Sequence, residues 1–335
     1  MVPPPTALNV VVSRTDRIGD VVLTLPLCGL LKARGHRVVF LGRRYTRPVL
    51  EASDAVDEIL EWDDARGAEA RARLADARAD VVLHVKPDVD IAWAAFQARI
   101  PLRVGTTRRA FHWLLCNRLE SLARKRSPLH EAQLNVQLAR TLLPADALAL
   151  SLDRLAARGR LRPRVPVPDA LQPLVARDRF TLVVHPQSGG SAAEWPLDHW
   201  SALARALPAE RFRVLVTGTR AEGDALRAWL DAQPPHVHDV TGRTDGRELL
   251  ALLAAAAGFV AASTGPLHAA AALGTRTLGL FSPRRPIHPG RWAPIGERAE
   301  VLVPERTGGT AADDLAAITP DAVADRVRAW AARAR

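Results

Sequence analysis

The chain has 335 residues, 48% of them apolar, and its basic residues exceed its acidic ones by ten. This is more than one compact domain needs, so we expect two α/β domains with separate cores. Two cysteines in no metal-like spacing, and the lack of about 18 consecutive apolar residues, argue against a disulfide scaffold and a membrane-spanning protein. We therefore expect a cytoplasmic protein that is at most peripheral to a membrane.

The first half alternates predicted strands with predicted helices. Residues 8–13 form an apolar, β-branched run typical of a buried parallel strand, and the loop 14–20 leads into one helix predicted to end near Gly35. Further strands are predicted at 37–41 and 81–85. This alternation predicts a parallel sheet covered by helices.

A basic segment follows from Arg99 to Arg126, with eight Lys or Arg residues and one acid, Glu120. One interpretation is a groove for an anionic partner, which would include Arg108 and Arg109. The other is a solvated amphipathic face. The positive net charge also suits nucleic acid, phosphorylated sugars or an acidic membrane face. No base-reading motif is found, so no nucleic-acid partner is predicted.

The composition changes before the second half begins. Prolines among arginines, without sustained periodicity, mark residues 161–178 as a linker between residues 1–160 and residues 179–316. The second half repeats the strand and helix alternation. Its last segment, 317–335, is predicted to contain an amphipathic helix that starts at Pro320.

Three turns of small residues follow predicted strands of the second half, at Ser188 to Ser191, Gly218 to Thr219 and Ser263 to Gly265. Ligands of open α/β sheets bind outside the carboxyl ends of the strands, so these turns could surround one nucleotide diphosphate. The dinucleotide fingerprint and the Walker loop are both lacking, which argues against hydride transfer and phosphate hydrolysis. No metal site is predicted, because no HExxH motif or paired CxxC motif occurs.

The turn at Ser263 leads into a helix of small residues. Thr264 or Ser263 can cap this helix, and the backbone N–H groups at its start, beside Gly265, suit a phosphate. A capped βαβ unit without a ligand is the alternative. His268, on the first turn, could donate to the phosphate or be an ordinary packed residue.

Three acids are candidates for chemistry. Asp20 lies at the start of the first helix, where the helix dipole keeps it ionised, as a general base requires. It could equally serve helix initiation, and Asp16 is a competing base in the same loop. Glu222 follows a strand and could accept ribose hydroxyls, or it could be one more first-turn acid.

Several motifs, taken in order, resemble glycosyltransferase family 9, the heptosyltransferases. They are RIGDVVLTLP (17–26), HPQSGGSAAEWP (185–196), GTRAE (218–222), VTGRT (240–244), STGPLHAAAALG (263–274) and LFSP (280–283). The resemblance implies a GT-B fold, in which two Rossmann-like domains face a cleft. Residues 1–160 would bind the acceptor, residues 179–316 the nucleotide sugar, and the helix in 317–335 would pack back on the N-terminal domain.

The resemblance also implies an activity. The family moves heptose from ADP-heptose, with inversion, onto the lipopolysaccharide core or a similar anionic glycolipid at the inner membrane face. It needs no metal and no cofactor besides the nucleotide sugar. The matching Gly-Asp implies Asp20 as the base. The donor contacts predicted are Ser188, Gly189, Glu222, Arg243, Ser263, Thr264, Gly265 and His268, and the predicted acceptor contacts are Arg17, Arg108 and Arg109.

The chain departs from the family pattern at two positions. Ser263 stands where the family usually has Asp, and Ala193 where it usually has Lys. Arg243, Arg284 or Arg285 could replace the lost cation. Two other functions suit the same fold, a nucleotide-sugar epimerase and a non-catalytic protein that binds a nucleotide sugar or glycolipid.

Overall fold

The structure is a computed structural model that describes residues 7–63, 67–122, 124, 127–190 and 192–333. The chain divides into two compact units, Met1–Leu161 and Arg162–Arg335. The division falls at the start of the Pro-rich segment predicted as a linker. Each unit contains a six-stranded parallel sheet.

The sheet of the first unit is built around an apolar central strand. Its strands are β1 (Asn9–Ser13), β2 (Arg37–Gly42), β3 (Glu58–Glu61), β4 (Val81–His84), β5 (Leu102–Thr106) and β6 (Arg118–Glu120). They lie in the order β3-β2-β1-β4-β5-β6. Val10, Val11 and Val12 of β1 are fully buried, as expected for a strand with helices on both faces.

The helices of the first unit are α1 (Ile18–Val22), α2 (Leu25–Ala33), α3 (Arg47–Glu51), α4 (Gly67–Asp76), α5 (Val89–Gln97), α6 (Ala110–Leu115), α7 (Glu131–Leu138), α8 (Ala145–Leu148) and α9 (Leu152–Ala156). The single helix predicted after the first loop is therefore two helices. Pro26 lacks an N–H group and cannot donate to the preceding turn, so the chain restarts at α2.

The second unit repeats the same strand arrangement. Its strands are β7 (Phe180–His185), β8 (Phe212–Val216), β9 (Val237–Asp239), β10 (Gly258–Ala262), β11 (Arg276–Leu280) and β12 (Ala299–Leu302), in the order β12-β11-β10-β7-β8-β9. Its helices are α10 (Leu197–Ala206), α11 (Arg220–Ala225), α12 (Arg227–Asp231), α13 (Gly246–Ala255), α14 (Gly265–Ala272), α15 (Pro289–Trp292), α16 (Ala311–Ala316) and α17 (Pro320–Arg333).

Each strand order reverses direction once, and this fixes where a ligand can enter. In the first sheet the reversal lies between β1 and β4, and in the second between β7 and β10. Loops leave such a point in opposite directions and open a crevice at the carboxyl ends of the strands. The loop after β1 leads into α1, which carries Asp20, and the loops after β7 and β10 carry Ser188 and Thr264.

The last helix differs from its prediction. Helix α17 was expected to pack on the N-terminal domain, but its apolar face lies in the core of the second unit. Val323, Val327 and Trp330 are buried there, α17 packs along α10, and the Trp330 indole donates to Glu300 at 2.9 Å. The helix therefore completes the second core. Among the described residues, no helix is both long and apolar enough to cross a membrane.

Candidate functional site

Asp20 lies at the reversal point of the first sheet, in the first turn of α1. Its carboxylate is partly exposed, at 16% of the side-chain surface. A loop at this position can present a side chain to a ligand while the sheet beneath it stays rigid. The predicted base is thus placed where a substrate can reach it.

The buried cation Arg14 holds this carboxylate. Its guanidinium is 4% exposed and donates to Asp20 through Nη2. It also donates to Asp16 Oδ1 at 2.7 Å and to Glu131 Oε1 at 3.1 Å. The guanidinium presents several donors in one plane, so three carboxylates can share it in fixed directions.

Side chains of helix α7 form hydrogen bonds to the same segment. Glu131 also accepts from Arg124. The amide of Asn135 donates to Leu23 O and to Thr24 Oγ1, both at 3.1 Å. The Thr24 hydroxyl in turn donates to the main-chain oxygen of Asp20 at 2.8 Å. The backbone at and after Asp20 is therefore tied to α7.

This network was not predicted from the sequence. Arg14 was recognised only as part of a loop, and Glu131 and Asn135 were not singled out. Their partners in the first loop lie more than a hundred residues away in the chain. The only local signal is a charged residue directly after an apolar strand, and many surface loops share it.

Burial raises the pKa of Asp20 above its usual value. The Arg14 cation opposes this by lowering the pKa, and the neighbouring Asp16 and Glu131 carboxylates raise it further. Burial alone would lower the pKa of Arg14, but the three carboxylates outweigh it and keep that pKa above the usual value. Asp20 is thus a stronger base than a solvated aspartate, beside a permanent cation.

The predicted acceptor contacts lie on the exposed surface of the first unit. Arg17 occupies the N-cap position of α1, in the loop that carries Asp20. Arg108 and Arg109 follow the carboxyl end of β5, at the same edge of the sheet. The structure therefore brings all three cations to the edge that holds the candidate base.

In the second unit, the three small-residue turns follow three adjacent strands. Strand β7 pairs with β10 on one side and with β8 on the other, all in parallel. His185 at the end of β7 is in register with Ala261 of β10. The turns therefore emerge side by side from one edge, as the sequence analysis expected.

The turn after β7 depends on glycine. Gly189 and Gly190 have φ values of 54° and 73°, which residues with a Cβ atom rarely adopt. Ser188 donates through its N–H to Glu194 at 2.7 Å and through its hydroxyl to Ala192 O at 2.8 Å. Ser191, the end of the predicted turn, lies outside the described residues. The turn is thus held compact by its own side chains.

Glu222 forms a capping box at the start of α11. Its Oε2 accepts from the N–H of Thr219 at 2.7 Å, and the Thr219 hydroxyl accepts from the N–H of Glu222 at 3.2 Å. A Cβ atom added to Gly189 would lie 3.9 Å from Glu222 Oε1. The turns after β7 and β8 therefore meet at this carboxylate, which has a structural role besides the predicted ribose contact.

His185 ends β7 beneath these turns. Its Nδ1 lies 3.1 Å from the Thr217 hydroxyl. Burial lowers the pKa of His185, and the nearby Glu222 carboxylate partly opposes that shift. A histidine with a lowered pKa is neutral at pH 7, so it adds no positive charge at this edge.

Thr264, one of the two residues predicted to cap α14, is at its N-cap position, but its side chain makes no capping hydrogen bond. The residue is 3% exposed, and its hydroxyl has no hydrogen-bond partner among the described residues. His268 lies one turn further along the same helix and is also buried. An unpaired buried hydroxyl beside free helix N–H groups is suited to a polar ligand.

Three arginines could replace the missing lysine, and one of them, Arg284, already pairs with other residues. It is bonded to Asp314, which is fully buried, and to Thr307 O at 2.7 Å. These contacts hold the pKa of Asp314 well below its usual range. Arg285 and Arg243 are exposed, and Arg243 lies in the turn after β9, next to the turn after β8.

The structure was also searched for a metal site. Within the described ranges, no group of three or more His, Cys, Asp or Glu residues is arranged to hold a metal ion. Asp16, Asp20 and Glu131 converge, but they do so on a guanidinium.

Comparison with known proteins agrees with this arrangement. The model of "Glycosyltransferase family 9 (heptosyltransferase)" matches residues 68–312. Lipopolysaccharide heptosyltransferase 2 of Salmonella typhimurium is 24% identical over 322 residues, which cover 88% of each chain.

Two solved structures share the fold. The ADP-heptose LPS heptosyltransferase II of E. coli has a TM-score of 0.75 at 22% identity, covering 97% of this chain and 99% of its own. The E. coli heptosyltransferase WaaC with ADP has a TM-score of 0.72 at 18% identity, covering 96% and 99%. The predicted GT-B fold is confirmed. The chain belongs to glycosyltransferase family 9, the heptosyltransferases, and is a glycosyltransferase.

Proposed function

We propose that this glycosyltransferase transfers heptose from ADP-heptose, with inversion, to the lipopolysaccharide core or a similar anionic glycolipid. The observation that carries the proposal is Asp20, a partly exposed carboxylate of raised pKa that a buried arginine fixes at the reversal point of its sheet. The second unit has the matching feature for a nucleotide diphosphate, three small-residue turns on adjacent strands.

The reaction is a direct displacement. Asp20 removes the proton from an acceptor hydroxyl, and the acceptor oxygen bonds to the sugar C1 from the face opposite the leaving group. The bond between C1 and the phosphate oxygen breaks, and the nucleoside diphosphate leaves with its electron pair. One displacement at C1 inverts its configuration.

The leaving diphosphate is stabilised by the second unit. The N–H groups at the start of α14 point toward its anionic oxygens, and the Thr264 hydroxyl and His268 add donors there. Arg243 supplies positive charge in place of the lysine lost at Ala193, and Glu222 accepts a hydrogen bond from the ribose. These groups perform the role for which other transferases use a metal ion, so we propose that no metal is required.

The names and titles of the relatives support the proposed donor and acceptor. Two have names or titles that specify lipopolysaccharide heptosyl transfer, and another is described with ADP. Arg17, Arg108 and Arg109, exposed at the edge that holds Asp20, suit an anionic acceptor. A glycolipid acceptor would also require contact with the inner membrane face.

The test combines binding with turnover. A thermal-shift screen with ADP-, GDP-, UDP- and dTDP-sugars should show the largest stabilisation with the ADP-sugar, because a ligand that binds only the folded state raises its stability. Release of the nucleoside diphosphate is then measured with and without a lipopolysaccharide-core acceptor.

Each outcome favours one function. Release that depends on the acceptor supports the transferase. Product formed without an acceptor would indicate an epimerase, and binding without turnover a nucleotide-sugar binding protein. The lack of a thermal shift with every nucleotide sugar would overturn the proposed donor.

A further inference from the structure

Helices α5 and α6 of the first unit expose large apolar side chains next to each other. We call this patch the aromatic–basic surface and define its apolar part as Val89, Trp93 and Phe96 of α5 and Trp113 and Leu114 of α6. Leu114 is 81% exposed and Trp113 63%. Ten large apolar residues are exposed in the described part of the chain, and these five make up half of them.

The five side chains belong to one surface. Val89, Trp93 and Phe96 are spaced four and three residues apart, so they share one face of α5. The Trp93 and Phe96 rings are stacked with centroids 5.9 Å apart. Helix α5 packs against α6, and Arg103 links them: its guanidinium lies 5.4 Å from the Phe96 ring and its Nε donates to Leu115 O at 2.8 Å.

These helices already have buried faces. Ile91 and Ala94 of α5 lie in the core of the first unit, and His112 and Leu115 of α6 are buried. The exposed side chains are thus additional to what folding requires. Two of them are tryptophans, and a binding partner that buried their exposed apolar surface would gain favourable free energy.

Cations border the apolar side chains. Arg99, Arg108 and Arg109 are exposed next to the two helices, and Arg103 lies between them. The start of α5 carries two acids, Asp88 and Asp90, and Asp88 caps that helix by accepting from the N–H groups of residues 90 and 91. The surface therefore combines tryptophan and leucine with a net positive charge.

We propose that the aromatic–basic surface binds the headgroup region of a bilayer that contains anionic phospholipids. Tryptophan prefers the membrane–water interface, where its ring is buried and its N–H stays hydrogen-bonded. The Trp113 indole already has such a bond, to Thr107 O at 3.0 Å. The arginines around it are attracted to an anionic leaflet, which strengthens binding.

A second copy of the chain fits this surface less well. A twofold dimer would place the surface against itself and bring the arginines of the two copies together. Like charges facing each other oppose association, whereas anionic headgroups neutralise them. The charge therefore favours a bilayer over self-association.

Bilayer binding would also serve the reaction, and this part rests on the proposed function. The loop that follows β5 carries Arg108 and Arg109 and leads directly into α6. The aromatic–basic surface thus begins at the sheet edge that holds Asp20. A bilayer bound there would present glycolipid headgroups on the acceptor side of the first unit.

Sedimentation with vesicles tests the inference on the full chain. Vesicles of phosphatidylcholine alone are compared with vesicles that also contain phosphatidylglycerol. We expect the protein to sediment with the anionic vesicles and to be released by salt, which screens the arginines. The double variant Trp113→Ser, Leu114→Ser should bind at least about tenfold more weakly, and Arg99→Glu about fivefold or more.

Ile287→Ser is the matched control, because Ile287 is an exposed apolar residue of the second unit. This variant should bind vesicles like the unaltered protein. Thermal midpoints of all variants show whether each is folded, and little change is expected because the altered side chains are exposed.

Equal vesicle binding by the unaltered protein and the double variant would overturn the inference. If the protein does not bind anionic vesicles, salt-sensitive binding to DNA would also overturn the inference. A dimer that forms in the unaltered protein and not in the double variant would overturn it in the same case. The thermal shift with nucleotide sugars is measured on the same variants. If the unaltered protein shows this shift but does not prefer anionic vesicles, only this inference is contradicted and the proposed function still stands.

Discussion

Arg14 and Asp20 form an ion pair in which the cation is almost wholly buried and the carboxylate reaches solvent. The guanidinium is also held independently of the loop between β1 and α1, because Glu131 and Asn135 of α7 accept hydrogen bonds from it. The position of the Asp20 oxygens is therefore set by β1 and α7. For a general base, a fixed position matters as much as its pKa.

Asp20→Ala should abolish transfer while nucleotide binding survives. Removing a general base typically lowers the rate by about a hundredfold to ten-thousandfold. Acceptor-dependent release of the diphosphate measures the loss, and the thermal shift with the donor measures binding. Asp146→Ala, which alters an exposed first-turn aspartate of α8, is the control and should keep full activity. Full activity in Asp20→Ala would refute the assignment of the base.

Arg14→Met should change the pH dependence of the reaction, besides slowing it. The rate should fall as pH decreases through the pKa of Asp20, because the protonated carboxyl cannot accept the acceptor's proton. The midpoint should lie above the usual pKa of about 3.9 for aspartate. Arg14 lowers the pKa of Asp20, so its loss should move the midpoint to higher pH.

Arg14→Lys is the conservative partner of this variant. It keeps the charge but loses the planar set of donors, so the midpoint should stay closer to that of the unaltered protein while the rate still falls. If the midpoints of kcat/KM against pH are the same in all three proteins, Arg14 does not tune the base.

Thr264→Val should weaken nucleotide binding without destabilising the free protein. The hydroxyl is buried and has no partner among the described residues, so replacing it by a methyl group of similar size removes a desolvation penalty. A lost hydrogen bond to a charged diphosphate would weaken binding about tenfold to a hundredfold. Calorimetric titration with the nucleoside diphosphate and a thermal melt of the free protein test the two halves of this prediction.

Glu222→Ala combines two losses that a second variant can separate. It removes the predicted ribose contact and also half of the capping box at α11. Thr219→Ala breaks the same box but keeps the carboxylate, so each variant should lose about 1 kcal/mol of stability. Only Glu222→Ala should also reduce donor affinity. Equal affinities in both variants would limit Glu222 to its capping role.

Local patterns were sufficient to predict most of the fold. Apolar β-branched runs such as residues 8–13 are typical of central strands, and their alternation with helices predicts a parallel sheet. The three turns of the second unit were predicted to meet because the carboxyl ends of parallel strands share one edge. Each of these inferences depends on a short segment and a general rule of sheet geometry.

Rules of this kind do not predict contacts between segments that are distant in the chain. The Arg14–Glu131 pair joins residues 117 positions apart, and neither side chain signals its partner. The amphipathic pattern of α17 shows that one face is buried, but it cannot show which sheet covers it. Thr264 occupies the N-cap position predicted for it or Ser263 but makes no capping hydrogen bond, because the surroundings decide how a residue type that suits a cap is used.

The place of α17 has a consequence for how the protein is made on the ribosome. The core of the second unit includes β7, near its start, and Trp330. That core cannot close until Trp330 has left the exit tunnel, whereas the first unit requires only residues up to 161. The first unit should therefore fold during synthesis, and the second unit should fold last. A nascent chain stalled before α17 would have an ordered first unit but no closed core in the second unit.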